Sequence, residues 1–490
     1  MSLKKTLIGA SALVAIAVVS PHAQAATPST TLYGGGGTLA AKLYRDIFNC
    51  YSASAYGVYS TSGGNVSTLA SYPSTLNAAC LTSGSSGSVG SPTNSKIALP
   101  YEPVGSGAGQ NAIVYGSPTS FGVPATTNPV AFINDSATVA AASTPYPEVE
   151  FISSDAYLST SQLTSAAAID TPASASASNP VFVVPTLATP ITLPIGQVKN
   201  KGLLISDVCK IFSGQEVVPG NPKSTQAIYV RQDGSGTSFI FSDFLASNCS
   251  AYTPNFTSAN GFPSNTPNWT AAASGSTIAI ITAVSGSGGI ANAVAGASYS
   301  IGYVSPDYVQ PVVASSSAYP ALVGLTAAKE VSPTVAEVQT HVTAIISNST
   351  YPKTYTNNIG ATINNLLASS TYAADGYPIV GFTFLYTYSC YSSSLHGGLI
   401  GTKAKGAELK TVLTSLIPPV GVQPSALQTD TQNILTKSGF SPLLYGTNTT
   451  IASLLYGAGG PFYTTTKTTG AGGSAGIGGV TADCPASLPN

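Results

Sequence analysis

A short strand pattern, Ile228-Tyr229-Val230, runs directly into Arg231-Gln232-Asp233-Gly234-Ser235-Gly236-Thr237, after which Phe241, Phe244 and Leu245 fall on one helical face. The same grammar of strand, small polar turn and helix recurs upstream. Leu32 and Tyr33 lead into a turn at Gly34-Gly35-Gly36-Gly37-Thr38, followed by Leu39, Leu43, Ile47 and Phe48 at helical spacing. Val149-Glu150-Phe151-Ile152 reads as a strand ending at Ser153-Ser154-Asp155. Strands that alternate with helices predict an α/β fold. Two apolar, β-rich segments, Val181-Phe182-Val183-Val184 and Ile379-Val380-Gly381-Phe382-Thr383-Phe384-Leu385, stand out as crossings between two lobes. The expected division is a signal segment at 1–25, a first lobe begun by 26–182, a second lobe at 183–378, and a return at 379–490 with a C-terminal tail.

The first residues predict an export signal. Lys4 and Lys5 precede the apolar run from Leu7 to Val19, and Ala23-Gln24-Ala25 has the small-x-small form of a cleavage site. The run is short for a bilayer span, and no Cys adjoins the site to carry a lipid. A soluble chain starting near Ala26 is expected, in the periplasm, with secretion or the cell surface as the alternatives. That compartment is oxidising, so Cys50, Cys80, Cys209, Cys249, Cys390 and Cys484 are candidates for disulfides. Six cysteines allow about 15 connectivities, and pairing of neighbours in order is the expectation: Cys50–Cys80, Cys209–Cys249 and Cys390–Cys484. None forms a C-x-x-C, and no metal or cofactor site is expected. Charged residues are 7% of the chain; removing Lys4 and Lys5 from 17 basic residues leaves 15 against 18 acidic ones. No basic stripe exists to release counterions, which argues against a nucleic-acid partner. A monomer is expected. Ser52 to Ser88 and Thr465 to Gly479 read as loop and tail.

Four polar segments sit where strands end: Gly37-Thr38, Gly105-Ser106-Gly107-Ala108-Gly109, Ser154-Asp155, and Arg231 to Thr237. Helix N-termini present unpaired N–H groups and partial positive charge. Glycines let backbone approach a ligand, hydroxyls add donors, and Arg supplies a planar fork for a tetrahedral oxyanion. Each charge-assisted hydrogen bond contributes roughly 1.5–3 kcal/mol. A glycine turn before a helix is common by itself, and Ser235-Gly236-Thr237 also fits a simple helix cap. The joint occurrence of all four segments, in order, points to an anion.

In these segments the chain resembles the periplasmic phosphate-binding proteins of the high-affinity phosphate ABC transporter. Arg231 to Phe239 matches that family's Arg-x-Asp-Gly-Ser-Gly-Thr-Ser-Phe signature, and Ser153 to Leu158 resembles its Ala-Ser-Asp-Ala-Pro-Leu segment. Gly37-Thr38-Leu39, Gly105 to Gly109, Gly286 to Ala291, Ser300 to Val304 and Tyr377-Pro378-Ile379 also resemble family blocks. The resemblance implies a two-lobed binding-protein fold of the second topological type, with a two-strand hinge and, here, loop insertions. It implies that inorganic phosphate is bound by Gly37, Thr38, Leu39, Ser106, Asp155, Arg231, Ser235, Gly236 and Thr237, with Asp233 orienting Arg231. It further implies delivery to an ABC permease. Leu39 stands where the family has Phe, and Tyr157 where it has Pro.

Asp155 is the informative residue. A carboxylate repels an anion unless that anion brings a proton to donate. Phosphate near neutral pH keeps one and sulfate has none, so Asp155 would accept from the first and reject the second. The plainer alternative is a helix-capping or turn carboxylate. The rival function is an exported binding-fold protein with an interaction or scavenging role not tied to a transporter. An enzyme is not expected. Neither His341 nor His396 lies in a metal or triad motif, and Gly472-Gly473-Ser474-Ala475-Gly476 matches G-x-S-x-G only formally, in a low-complexity tail.

Overall fold

The structure is a computed structural model. It describes residues 30–51, 97–99, 101–102, 105–115, 149–170, 181–197, 202–252, 256–257, 264, 276–308, 322–323, 330–331, 333–346, 356, 358–368, 376–388, 391, 403–417, 426–443, 449–456 and 461. The signal segment, the Ser52–Ser88 loop, the tail and His396 lie outside the described residues.

The first elements are β1 (Thr30–Thr31), β2 (Gly34–Gly36), α1 (Ala41–Tyr51), β3 (Ile97–Ala98), β4 (Tyr101–Glu102), α2 (Ser106–Tyr115), β5 (Phe151–Ser154) and α3 (Thr160–Asp170). Next come β6 (Val181–Pro190), α4 (Ile205–Phe212), β7 (Gln226–Arg231), α5 (Gly236–Asn248), β8 (Ala279–Val284) and α6 (Gly286–Gly296). The last are β9 (Leu322–Val323), β10 (Glu330–Val331), α7 (Val335–Ile346), α8 (Ile359–Ala368), β11 (Val380–Tyr388), α9 (Lys403–Leu416), α10 (Ala426–Lys437), β12 (Ser441–Pro442) and α11 (Thr449–Tyr456).

The larger sheet has the order β12-β6-β11-β5-β2-β4. Its β5, β2 and β4 run parallel, while β11 is antiparallel to both β5 and β6. The two segments expected to cross between lobes are thus partners: β6 and β11 pair from Val181↔Tyr388 to Pro190↔Val380. Every residue of β11 is buried, which is why its sequence runs apolar without alternating. Pro185 can give no N–H to the ladder, and the register shifts there, between Thr383 and Phe384. The Thr186 hydroxyl donates to the Thr383 carbonyl at 2.9 Å, satisfying an acceptor at the irregularity.

Beyond β6 the chain enters a smaller sheet. Thr192 and Ile195 bridge to Val304 and Ile301, and Ile301 bridges to Ile228 of β7, which pairs in parallel with β8. The helix between these parallel strands, α5, is the crossover such a pair requires. The fold is therefore α/β and two-lobed. Helices α7 and α8 fall within residues 183–378 but pack on β6, β11 and β12 of the larger sheet. Cys209 and Cys249 form a disulfide between α4 and the end of α5, as expected. The other two expected pairings lie outside the described residues. Among the described residues no helix is long and apolar enough to cross a membrane.

Two glycine segments differ from the sequence reading. Gly34–Gly36 form a strand rather than a turn, with the Phe151 ring lying where a Gly34 side chain would be. An added Cβ on Gly109 of α2 would come within 2.7 Å of the Gly36 Cα. Local propensity disfavours glycine in a strand, but this close approach of a helix to bare backbone requires it. Ser106 likewise starts α2 instead of preceding it, with the turn supplied by Gly105 at φ +101°.

Candidate functional site

Four helix starts meet between the two lobes. From the larger sheet come Thr38, shortly before α1, and Ser106 at the start of α2; from the smaller come Gly236 of α5 and Gly286 of α6. Their partial positive charges accumulate at one place, together with the only fully buried guanidinium among the described residues.

Arg231 ends β7 and has no exposed surface. Asp233, two residues on, grips it as a fork: Arg231 Nε donates to Asp233 Oδ1 at 2.8 Å, and Nη2 donates to Oδ2. The Gly286 N–H donates to Asp233 Oδ1 at 3.0 Å, tying this carboxylate to the start of α6. Burial alone would raise the Asp233 pKa, but the charge and hydrogen bonds of Arg231 prevail and hold it below the usual carboxylate value. The far side of the guanidinium faces hydroxyls. Nη2 donates to Thr38 Oγ1 at 2.9 Å, and Nη1 to Ser287 Oγ at 3.1 Å and Thr237 Oγ1 at 3.4 Å. Its backbone N–H donates to the Tyr303 hydroxyl at 2.9 Å.

Asp155 follows the last residue of β5 and is 2% exposed. Ser106 Oγ donates to Asp155 Oδ2 at 3.3 Å, and Thr383 Oγ1 donates to Oδ1 at 2.6 Å. Burial pushes the Asp155 carboxyl up to about 6, against the lowering effects of Thr383, Ser106 and Arg231. It is thus mainly ionised at neutral pH and becomes protonated in mild acid.

Glycines bring the lobes together around this carboxylate. A Cβ on Gly236 would lie 2.5 Å from Asp155 Oδ2 and 2.6 Å from Ser106 Oγ, and one on Gly37 would lie 3.2 Å from Asp155 Oδ2. Any side chain at Gly236 would displace the facing wall. The Gly107 N–H donates to the Gly234 carbonyl at 3.2 Å, a direct bond between lobes. Ser305 Oγ donates to the Leu39 carbonyl at 2.9 Å and Tyr308 Oη to the Thr38 carbonyl at 3.3 Å, closing the other side.

The residues singled out from sequence therefore converge: Gly37, Thr38, Leu39, Ser106, Asp155, Arg231, Asp233, Gly236 and Thr237 meet where the two lobes touch. Ser235 lies beside them, and its hydroxyl accepts from the Ser238 N–H at 3.2 Å, so that side chain caps α5. Sequence reasoning did not place Ser287, Thr383, Ser305, Tyr303 or Tyr308 at the site. Ser287 lay within a recognised block, Gly286 to Ala291, and the likeness of that block to the family was the available signal. Thr383 stood inside an apolar strand, where one threonine carries no such signal.

Comparison with known proteins agrees with this architecture. Residues 90–406 match a family model described as a PBP superfamily domain. The chain is 30% identical over 286 residues to a protein of Pseudomonas aeruginosa (strain UCBPP-PA14) named Alkaline phosphatase L, covering 56% of this chain and 70% of that one. It is 25% identical over 328 residues to a phosphate-binding protein from an unknown prokaryotic organism, covering 61% and 77% of the two chains. A solved high affinity periplasmic phosphate-binding protein with bound phosphate superposes with a TM-score of 0.55 at 20% identity, over 87% of this chain and 93% of that one.

Proposed function

Because this chain belongs to the PBP superfamily, we propose that the place where its two lobes meet binds inorganic phosphate, and that the exported protein presents the bound anion to an ABC permease. The observation that carries the binding is the pairing of opposites in one buried place. A guanidinium already neutralised by Asp233 faces hydroxyls and helix starts, and a buried carboxylate faces the same space. An ordinary anion site has no use for that carboxylate. A ligand with both negative oxygens and a proton uses both halves. Relatives named for phosphate binding support the same ligand.

Contacts come from both lobes, so the anion favours the closed form over the open one by the contacts that only closure completes. Backbone N–H groups of residues 38–39 and 235–237, with the Thr38, Ser106 and Thr237 hydroxyls, donate to the oxygens, while the Gly37 N–H is committed to the Ser153 carbonyl at 2.8 Å. Arg231 adds the charge, and Asp155 accepts the ligand's proton.

Calorimetric titration tests the reading. Phosphate should bind tightly near neutral pH without competition from sulfate, and Asp155→Asn should relax that discrimination, because an amide can donate to an oxygen that carries no proton. Equal affinity of the unmutated chain for both anions would refute the role of Asp155.

The name of the Pseudomonas relative supports a second reading, phosphoester hydrolysis. Ser106 would have to be the nucleophile and Asp155 its base, the pair being 3.3 Å apart. Ser106 Oγ stands a long 3.3 Å from Asp155 Oδ2, and that carboxylate is the one assigned to the ligand's proton, so the pair is poorly set to activate a nucleophile. The expected result is no turnover of para-nitrophenyl phosphate; turnover abolished by Ser106→Ala would replace binding with catalysis.

A further inference from the structure

The two hinge strands contribute more than a connection between lobes. Thr383, on β11, lies one step past the ladder pair Phe384↔Ser154, directly across from Asp155, and donates its single hydroxyl proton to Asp155 Oδ1 at 2.6 Å. The Thr383 oxygen also lies 3.2 Å from Thr189 Oγ1 on β6. A threonine hydroxyl has one hydrogen, and that of Thr383 is spent on Asp155, so Thr189 must be the donor in this second bond. Both threonines are fully buried. The result is a relay directed Thr189→Thr383→Asp155, in which each bond polarises the next. It occupies Oδ1, while Oδ2 is the oxygen beside Ser106, Gly37 and Gly236.

We propose that Thr383 is a positioning residue that sets the phosphate-over-sulfate selectivity of the site: by committing Asp155 Oδ1 to the hinge-strand relay, it leaves Oδ2 as the oxygen that takes the ligand's proton. This rests on the phosphate reading above and adds the residue that decides which carboxylate oxygen is used. Without the relay the carboxylate can rotate, and its ionised form loses a donor. Thr186 and the irregularity at Pro185 keep Thr383 at this register by bonding its carbonyl.

Phosphate and sulfate titrations of the full mature chain between pH 5 and 8 test it, using Thr383→Val, which keeps the β-branched shape, and Thr383→Ser, which keeps the hydroxyl. Thr383→Val should narrow the phosphate-to-sulfate affinity ratio by about tenfold or more, the factor one charge-assisted hydrogen bond carries. It should also move the acid limb of phosphate binding to higher pH, because Asp155 loses a bond that favours its ionised form. The other ionisable groups that feel Asp155 are Arg231 on β7, with its partner Asp233, and Tyr44 on α1, and all are retained. Thr383→Ser should restore both the ratio and the acid limb. Should Thr383→Val fail to fold, Thr189→Val, one hydroxyl further from the carboxylate, should narrow the ratio in the same direction by less. A ratio and acid limb unmoved in the folded valine variants, or equal losses for both anions, would overturn the proposal. Failure of the unmutated chain to bind phosphate would instead remove the reading on which it rests.

Discussion

Arg231→Met is expected to weaken phosphate binding by about 10²–10⁴, because the anion takes over guanidinium N–H groups that here donate to the Thr38, Ser287 and Thr237 hydroxyls, two such charge-assisted bonds contributing roughly 1.5–3 kcal/mol each. It should also destabilise the chain by about 3–5 kcal/mol, because Asp233 is left as an uncompensated, largely buried charge. The two effects can be separated. Arg231→Met with Asp233→Asn should recover most of the stability, since the amide keeps an acceptor for the Gly286 N–H, yet should recover none of the affinity. Arg231→Lys keeps the charge and loses the planar fork, so it should fall between the two. Titration calorimetry reads the affinity and urea unfolding the stability. Phosphate affinity in Arg231→Met within a few-fold of the unmutated protein would show that the guanidinium is structural and that the anion is held elsewhere.

Lys405→Met should produce the largest change in pH-dependent stability. Glu150 has no exposed side-chain surface, and its carboxylate is held by Lys405 Nζ at 2.5 Å and by the Tyr33 N–H at 2.5 Å. Lys405 thereby joins α9, in the return segment, to strands β2 and β5 that form the floor of the site. Burial pushes the Glu150 carboxyl up to about 7, despite the lowering effect of Lys405. Since its folded pKa lies above its unfolded one, its favourable contribution is complete below the unfolded value of about 4.3 and fades as pH rises through about 7. Removing Lys405 takes away the charge that opposes this rise. The expected cost is larger at pH 8 than at pH 5 by up to about 1.4 kcal/mol, the one pH unit separating pH 8 from the folded value, because Glu150 escapes a greater cost by taking a proton. Glu150→Gln in the Lys405→Met background should recover most of the loss at pH 8. Equal destabilisation by Lys405→Met at both pH values would show that the lysine acts through packing of its aliphatic stem, not its charge.

Much of the site was legible because its chemistry is written in local backbone grammar. Arg231 to Thr237 had to be a strand end, a turn and a helix start, and each such start points N–H groups at whatever lies before it. Thr38, Ser106 and Asp155 followed from the same reading of where strands stop. The glycines were legible as close approaches but not as to what approaches them. Gly34–Gly36 read as a turn, yet they form a strand between β5 and β4, where α2 and the Phe151 ring press on their backbone. The residues that escaped, Thr383, Ser287 and Tyr303, act through partners 228, 56 and 72 positions away in the chain. No window along the sequence contains both members of such a pair.

The amino-acid order alone determined the alternation of strands and helices, the polar turns at strand ends, and the chemistry those turns offer an anion, since all of these depend on neighbours within a few residues. The tertiary fold alone decided which walls face one another: that Thr38 meets Arg231, that Gly236 lies against Asp155, and that β6 and β11 pair as one hinge carrying a hydroxyl chain to the carboxylate. The physical reason is that long-range pairing follows from burying both faces of the hinge strands at once. That requirement concerns the whole core, and the members of each such pair lie far apart along the chain, as Thr38 and Arg231 do at 193 positions.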